Sequence, residues 1–460
     1  LDPGRLTGHA LTSYRLETRD EVVANTKPIV VYVPADGGFI AMATTATGDG
    51  GFTVSGVPAG EVYVQFAPSN YLVTSERVLN LDDRQLGRPN TPQAAPPVAV
   101  STSLSGLEPT EDLDVWIVTP NTGFYANFWF LNAPFTPLVT SVSNEPATFD
   151  SPMGGLPDGV AGDSTWVLQF VDRNPGVAID AGFAFYRSVE KSVQLMGLTI
   201  AADGGSLTAA LSTPSARIKQ ASTLRAGEFA ALGNAVHPAA TVGPVDFSVY
   251  QTPTPVGAVA GWVGFSGYLL SYYASPSPAV DLPFVLEFAD PFPPTGWSKV
   301  YSYSVGFRVP TLLTGTTIGR WSAYITETYP QVQAVVVPRL SPPAALTVNG
   351  QAASLPMSLS SRQLTVAWSP PALGVADQYS VRIYRLTKSG NTTTRSLVTR
   401  VLTQGLSVRL PQALEPGANY FVVVTAFSAP GYDLRTTPLA FSWAMDTSSA
   451  DTVSSVLTTP

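Results

Sequence analysis

The amino-acid sequence predicts an all-β protein built from tandem β-sandwiches, and three observations carry that expectation. Hydrophobic residues make up 45% of the 460 positions and charged residues only 13%, which supplies large areas to bury and argues against disorder. Gly (38) and Pro (41) are frequent enough to exclude long uninterrupted helices and to punctuate many short strands. Short runs of alternating apolar and polar residues recur along the chain, which is too long for one core and needs about three or four.

In chain order, residues 5–16, 29–33 (IVVYV) and 39–45 read as strands. Residues 47–66 then read as a β-hairpin. Gly48, Gly50 and Gly51 suit a tight turn, after which Phe52 and Val54 point one way and Thr53 and Ser55 the other. Val57-Pro58-Ala59-Gly60 makes a second turn, and Val62, Val64 and Phe66 resume the alternation with Tyr63 on the opposite face. Gly4-Arg5-Leu6-Thr7-Gly8, residues 29–33, Asp49-Gly50-Gly51-Phe52, Gly56-Val57-Pro58-Ala59-Gly60 and Val62-Tyr63-Val64 together resemble the carboxypeptidase regulatory-like, or transthyretin-like, module. The resemblance implies a prealbumin-type sandwich over residues 1–90, with Asp49, Phe52, Gly60 and Tyr63 as signature positions. Such modules are common in secreted and cell-surface bacterial proteins and usually have no catalysis of their own.

Residues 89–97 (PNTPQAAPP) have the composition of a stiff, extended linker. Beyond it, 113–118, 124–131, 166–171, 183–186, 193–200 and 207–211 are strand-like runs. Residues 215–233 carry helical spacing through Ile218, Ala221, Leu224, Phe229 and Leu232, interrupted by Gly227. Residues 237–255, rich in Pro and Ala, divide the middle region into sandwiches at 98–237 and 238–338, a single large one being the alternative. No charge lies between Asp246 and Asp281, and residues 257–274 are long enough to span a bilayer. Six of those positions are Gly or Ser, at 257, 261, 264, 266, 267 and 271, and no Lys or Arg flanks them, so buried strands are expected instead of a membrane span. Val300, Ser302 and Ser304 then alternate with Tyr301, Tyr303, Val305 and Phe307, and 332–337 supplies a closing strand.

The last region opens at Pro342-Pro343, places Trp368 in the run Leu364-Thr365-Val366-Ala367-Trp368, and continues through Tyr379-Ser380-Val381-Arg382-Ile383-Tyr384. Leu414-Glu415-Pro416-Gly417-Ala418-Asn419-Tyr420 leads into a run of valines. These pieces, in this order, resemble a fibronectin type III domain over residues 342–446. The resemblance implies an inward Trp368 and a tyrosine corner at Tyr420. Residues 447–460, rich in Ser and Thr, are expected to be a loose tail or connector.

Function is read mainly by exclusion. A net charge of −8 with scattered basic residues excludes a nucleic-acid partner, and the absence of cysteine excludes disulfides, thiol nucleophiles and Cys-based metal sites. The first residue is Leu1, so a processed chain with a signal peptide upstream is expected, and membrane tethering through an upstream lipid-bearing residue stays open. Only His9 and His237 are available for a triad, one in a strand and one before a proline, and both read as structural. No HExxH, GxGxxG or GxSxG occurs. Glu287 with Asp290 and Asp112 with Asp114 are the acid pairs eligible for glycoside chemistry, but both read as wet strand faces; Asp82-Asp83 is uninformative. Asp158, Asp163 and Asp172 offer oxygen ligands for Ca²⁺ at a spacing that matches no defined calcium loop, and no other cofactor is expected. Trp262, Phe265, Tyr268, Tyr272, Tyr273, Trp297, Tyr301 and Tyr303 form one aromatic cluster, and Tyr125, Phe128, Trp129 and Phe130 another. They read first as core; exposed, Trp262, Tyr268, Tyr272, Tyr273 and Trp297 would stack on sugar rings. Asn391-Thr392-Thr393 matches a glycosylation acceptor. The expectation is a non-enzymatic, exported bacterial protein at the cell surface, outer membrane or outside the cell. It would be structural or adhesive, with protein partners or self-association; polysaccharide binding is the alternative and glycoside chemistry a third.

Overall fold

The computed structural model describes residues 4–24, 28–89, 91, 98–110, 112–135, 138–173, 183–253, 267–275, 280–313, 316–390, 392–440 and 446–460. The protein is an all-β stack of sandwiches, as its composition requires. In the first, Arg5–His9 pairs with Gly51–Ser55, setting Leu6 opposite Val54. Val62–Ala67 lies in the facing sheet between Val30–Ala35 and Asn70–Thr74. The two runs within 47–66 are therefore not a hairpin but neighbours across the core. Phe52, Val54, Val62 and Val64 are all apolar on the inner side and bury together with Leu6 and Val31. The connection through Pro58 crosses from one sheet to the other and turns at Gly60 (φ +96°), a conformation that favours glycine. Asp49 accepts from the Gly51 N–H at 3.1 Å and from the Thr47 hydroxyl, which sets the preceding turn.

The next sandwich is a curled sheet in the order Gly205–Ala210, Ala99–Ser105, Ser141–Met153, Phe124–Phe130, Asp114–Thr119, Ser164–Asp172, Phe183–Met196. Ser192 and Ser212 exchange backbone hydrogen bonds (2.9 and 3.0 Å) and close the curl around a core that includes Ile117, Phe128, Phe149 and Leu207.

In the following sandwich Tyr268–Ser275, Thr241–Thr252, Ser298–Leu313 and Thr316–Tyr329 face Leu282–Ala289, Arg217–Leu224 and Val335–Val336. Two expectations are corrected here. Residues 217–224 form a strand, with Ser222 and Leu224 inward and Arg217 and Lys219 outward; only Ala226–Ala230 and Gly233–Val236 are helical. The stretch 237–255 is not a divider but holds Thr241–Thr252, hydrogen-bonded on both sides, so the second middle sandwich begins before Arg217. His237 is buried, with Nε2 at 3.1 Å from Ser455 Oγ, and burial lowers its pKa.

In the last sandwich Ala344–Val348, Thr365–Ser369 and Ser407–Arg409 face Gln378–Ser389, Thr392–Thr403 and Asn419–Ser428. Trp368 and Tyr420 are buried at its centre. The Tyr420 hydroxyl accepts from the Glu415 N–H at 3.1 Å, which is the hydrogen bond of a tyrosine corner. The expected loose tail is corrected as well. Thr447–Val453 is a strand hydrogen-bonded to Asn419–Ser428 on one side and Thr316–Tyr329 on the other, and Leu457–Thr458 pairs further along. Ser448, Thr452, Ser454, Ser455 and Thr459 are buried, and their hydroxyls are bonded: Ser448 Oγ donates to Glu327 Oε2 at 2.6 Å and Thr452 Oγ1 to the Val236 carbonyl at 3.1 Å. The last sandwich thus extends past 446.

Strand pairing also joins the sandwiches to one another. Phe183–Met196 pairs with Tyr268–Ser275, and Thr316–Tyr329 with Thr447–Val453. Asn70–Thr74 of the first sandwich lies parallel to Thr392–Thr403 of the last, with Tyr71 opposite Val401. One sheet of 21 strands, counted over the described residues, results. The first sandwich also meets the second through Arg88, whose guanidinium grips Asp163 at 2.5 and 3.1 Å, and through the Glu17 N–H, which donates to Asn121 Oδ1 at 2.8 Å.

Two stability predictions follow from this packing. Removing residues 446–460 strips a strand paired on both sides, and circular dichroism on heating should show loss of the cooperative transition; an unchanged Tm would contradict the role given to that strand. Tyr420→Phe should cost about 1–2 kcal/mol in chemical denaturation by unpairing the Glu415 N–H. Asp246 yields a pH-dependent one. It is half-buried on Thr241–Thr252, opposite Tyr273 and Ser304, and burial pushes its carboxyl up to about 6. The native state therefore binds a proton more tightly than the unfolded chain, so this group's penalty is absent below about pH 4, grows to about pH 6 and is complete above it. Asp246→Asn should stabilise the protein near neutral pH by about 1–2 kcal/mol, discounted for partial exposure, and leave it unchanged near pH 4.

Candidate functional site

An open groove of about 1050 Å³ lies on the outer face of the first middle sandwich. Its floor follows from strand alternation. Val115 and Ile117 of Asp114–Thr119 enter the core, so Asp114 and Trp116 face out. Phe128 and Phe130 do the same on Phe124–Phe130, which turns Asn127 and Trp129 outward; Trp129 is 63% exposed. Register completes the floor by setting Asp114 opposite Phe170 and Asp172 opposite Arg187; Trp116, opposite Asn127, stacks on Tyr125 at 4.5 Å beside the groove.

Arg187 organises the polar part. Its Nη1 donates to Asp114 Oδ2 at 2.5 Å, while its guanidinium carbon lies 5.5 Å from the Trp116 ring centre and 5.0 Å from that of Phe185. The other oxygen of Asp114 accepts from Trp116 Nε1 at 2.7 Å. Burial raises the Asp114 carboxyl, with Arg187 and the Trp116 N–H pulling the other way. Asp114 is therefore committed to holding Arg187 and Trp116 in place. Asp112, Asp172 and Asn127 line the same groove and present acceptors and an amide. No His, Lys or Cys is among its lining residues.

The residues expected to stack on sugars lie elsewhere. Trp262 falls outside the described residues, as do Phe265 and Asn391. Tyr272 is buried, edge-on to Phe284 at 4.8 Å, so its expected role as a sugar platform is corrected: no ring of a ligand reaches it. Tyr268 packs edge-on to Tyr125 (6.2 Å) and Trp297 lies flat on Phe292 (4.7 Å), both half-buried between the middle sandwiches. Tyr273 stacks on Phe185 at 5.8 Å and so touches the groove through that ring.

The acid positions are likewise separated. Asp158 caps a turn, accepting from the Val160 N–H at 3.0 Å, while Asp163 is spent on Arg88 and the Asp158 N–H. Neither is placed to hold Ca²⁺ with Asp172, and no cluster of three such ligands converges among the described residues. Glu287 is on the wet face of its strand with Lys219 (3.1 Å) and Arg217 (3.5 Å), and the Lys219 ammonium leads in lowering its pKa. Asp290, buried, pairs with Lys299 at 2.6 Å. Asp82 binds His9 (3.1 Å) and the Leu11 N–H (2.6 Å). The sequence signal for Trp129 was present in Phe128-Trp129-Phe130, where alternation forces the middle ring out once the outer two enter the core.

No family model matches the chain, and no curated protein matches it. Among solved structures it is similar to the crystal structure of the FN1–FN3 domains of chicken CNTN1, at 12% identity over 74% of this chain and 96% of that one, with a TM-score of 0.14. It is also similar to native E. coli alpha-2-macroglobulin reconstructed by cryo-EM, at 8% identity over 99% of this chain and 28% of that one, with a TM-score of 0.12. This chain thus spans well under a third of the latter's length. Neither superposition adds to the fold, which stands on the strand pairing and cores described above.

Proposed function

We propose that the chain is a non-enzymatic structural or adhesive protein, exported to the cell surface or beyond it, that works as one rigid body binding protein partners or copies of itself. The observation that carries this reading is the joining of sandwiches edge to edge. A flexible string of spacers would leave its linkers loose, whereas here Asn70–Thr74 is hydrogen-bonded to Thr392–Thr403 and Thr316–Tyr329 to Thr447–Val453. An all-β body of 13% charged residues with no cysteine suits an exported scaffold stabilised by core size. Self-association falls to Gly38–Met42, which pairs with Val30–Ala35 and exposes Ile40 at 61% on an edge strand.

Scanning calorimetry should give one transition for the full chain, and light scattering should show concentration-dependent association that Ile40→Lys abolishes. Separate melting of the first or last sandwich would overturn the single rigid body. A species that stays monomeric at every concentration would remove self-association.

A further inference from the structure

We propose that the groove on the first middle sandwich binds an uncharged oligosaccharide chain, with Trp129 as the stacking platform. The proposal rests on the reading of this protein as an adhesive, non-catalytic body and names what that site takes. Trp129 is not a stray surface aromatic: its strand is hydrogen-bonded on both sides, and Phe128 and Phe130 are buried beside it, so the indole is held outward at a fixed point of the groove. A sugar ring presents a face of C–H bonds to such a platform and a rim of hydroxyls to the groups around it.

Those groups are present. Asp112, Asp172 and Asn127 offer acceptors to hydroxyl donors, and Arg187, held by Asp114, offers N–H groups to hydroxyl acceptors. At about 1050 Å³ the groove lies at the upper end of the roughly 300–1,000 Å³ of small-molecule pockets, and it is open, which suits a chain better than a single sugar.

Charge and topology select this occupant over others. Three carboxylates against one guanidinium disfavour phosphate, sulfate and uronic acid chains. An extended peptide adding a strand has no edge to join, because Phe124–Phe130 and Asp114–Thr119 are each paired on both sides. Of the three carboxylates Asp114 is already bonded to Arg187 and Trp116, which leaves Asp112 and Asp172 to accept from ligand hydroxyls.

The test is isothermal titration of the full chain with cello-, manno-, xylo- and malto-hexaose, with chitosan hexamer and heparin alongside, tryptophan emission being followed in parallel. At least one neutral hexaose should bind and shift the emission to the blue. Trp129→Ala should weaken binding at least tenfold with an unchanged Tm, and Trp129→Tyr should recover part of the loss. Binding of none of the neutral hexaoses, binding unaffected by Trp129→Ala, or preference for chitosan or heparin would overturn the proposal. If no hexaose binds yet calorimetry shows one transition, the ligand class falls and the rigid-body reading stands. New reducing ends accompanying Trp129-dependent binding would sustain the site and overturn the non-enzymatic reading.

Discussion

A strand at the edge of a sheet carries a row of unpaired N–H and C=O groups, and each sandwich in this protein would expose such rows if it stood alone. The architecture follows from how those edges are satisfied. Phe183–Met196 is long enough to serve two sandwiches, pairing through residues 187–196 with one and 183–188 with the next. Thr447–Val453 is both the last strand of the final sandwich and the edge partner of Thr316–Tyr329. Asn70–Thr74 returns the first sandwich to the last. Each junction satisfies backbone groups that water would otherwise have to solvate, and each fixes orientation as a linker cannot.

Side chains reinforce the same junctions. Tyr63 and Tyr71 project from the first sandwich into the core of the last, where Tyr63 Oη accepts from the Arg409 N–H at 3.2 Å and Tyr71 Oη from Gln412 Nε2 at 3.0 Å. Burying aromatic bodies of this size contributes about 1.5–3 kcal/mol each, and their hydroxyls lose nothing because each finds a donor. Glu327 has no exposed surface and is held by the Arg339 N–H (2.7 Å), Arg339 Nε (2.6 Å) and Ser448 Oγ (2.6 Å), while Arg339 reaches on to Asp446 at 2.6 Å. A buried pair of this kind adds little net stability, but breaking it strands a charge; its effect is to enforce one register between Thr316–Tyr329 and the C-terminal strand.

What the sequence could disclose divides along the same line. Signals local to one strand were readable: the inward Trp368, the tyrosine corner at Tyr420, the inner face of Phe52 and Val54. Pairing between edges was not, because it is made by backbone groups from 82 (Ser188 and Leu270) to 330 (Asn70 and Arg400) residues apart that leave no mark on side-chain pattern. The Thr447–Val453 segment misled because its polar residues are spent on neighbouring strands: the Ser448 hydroxyl donates to Glu327, and Asp451 accepts from the Thr425 hydroxyl and from Arg382. The run 215–233 misled because Ile218, Ala221 and Leu224 fit a helical spacing, although Ser222, inward and 3.1 Å from the Tyr303 hydroxyl, belongs to the strand alternation that tertiary packing selects.

The middle aromatics separate by the same physics. Tyr268, Tyr272 and Trp297 sit where two sandwiches meet, so they bury and cement the junction. Trp129 shares its outer face with Tyr125 but stands at the end that the neighbouring sandwich leaves exposed, three strands away from Phe183–Met196 and its junction. That position carries an outward indole in the same groove as a guanidinium that a half-buried carboxylate holds. Edges are thus turned inward for cohesion, while this part of one face is left open to solvent.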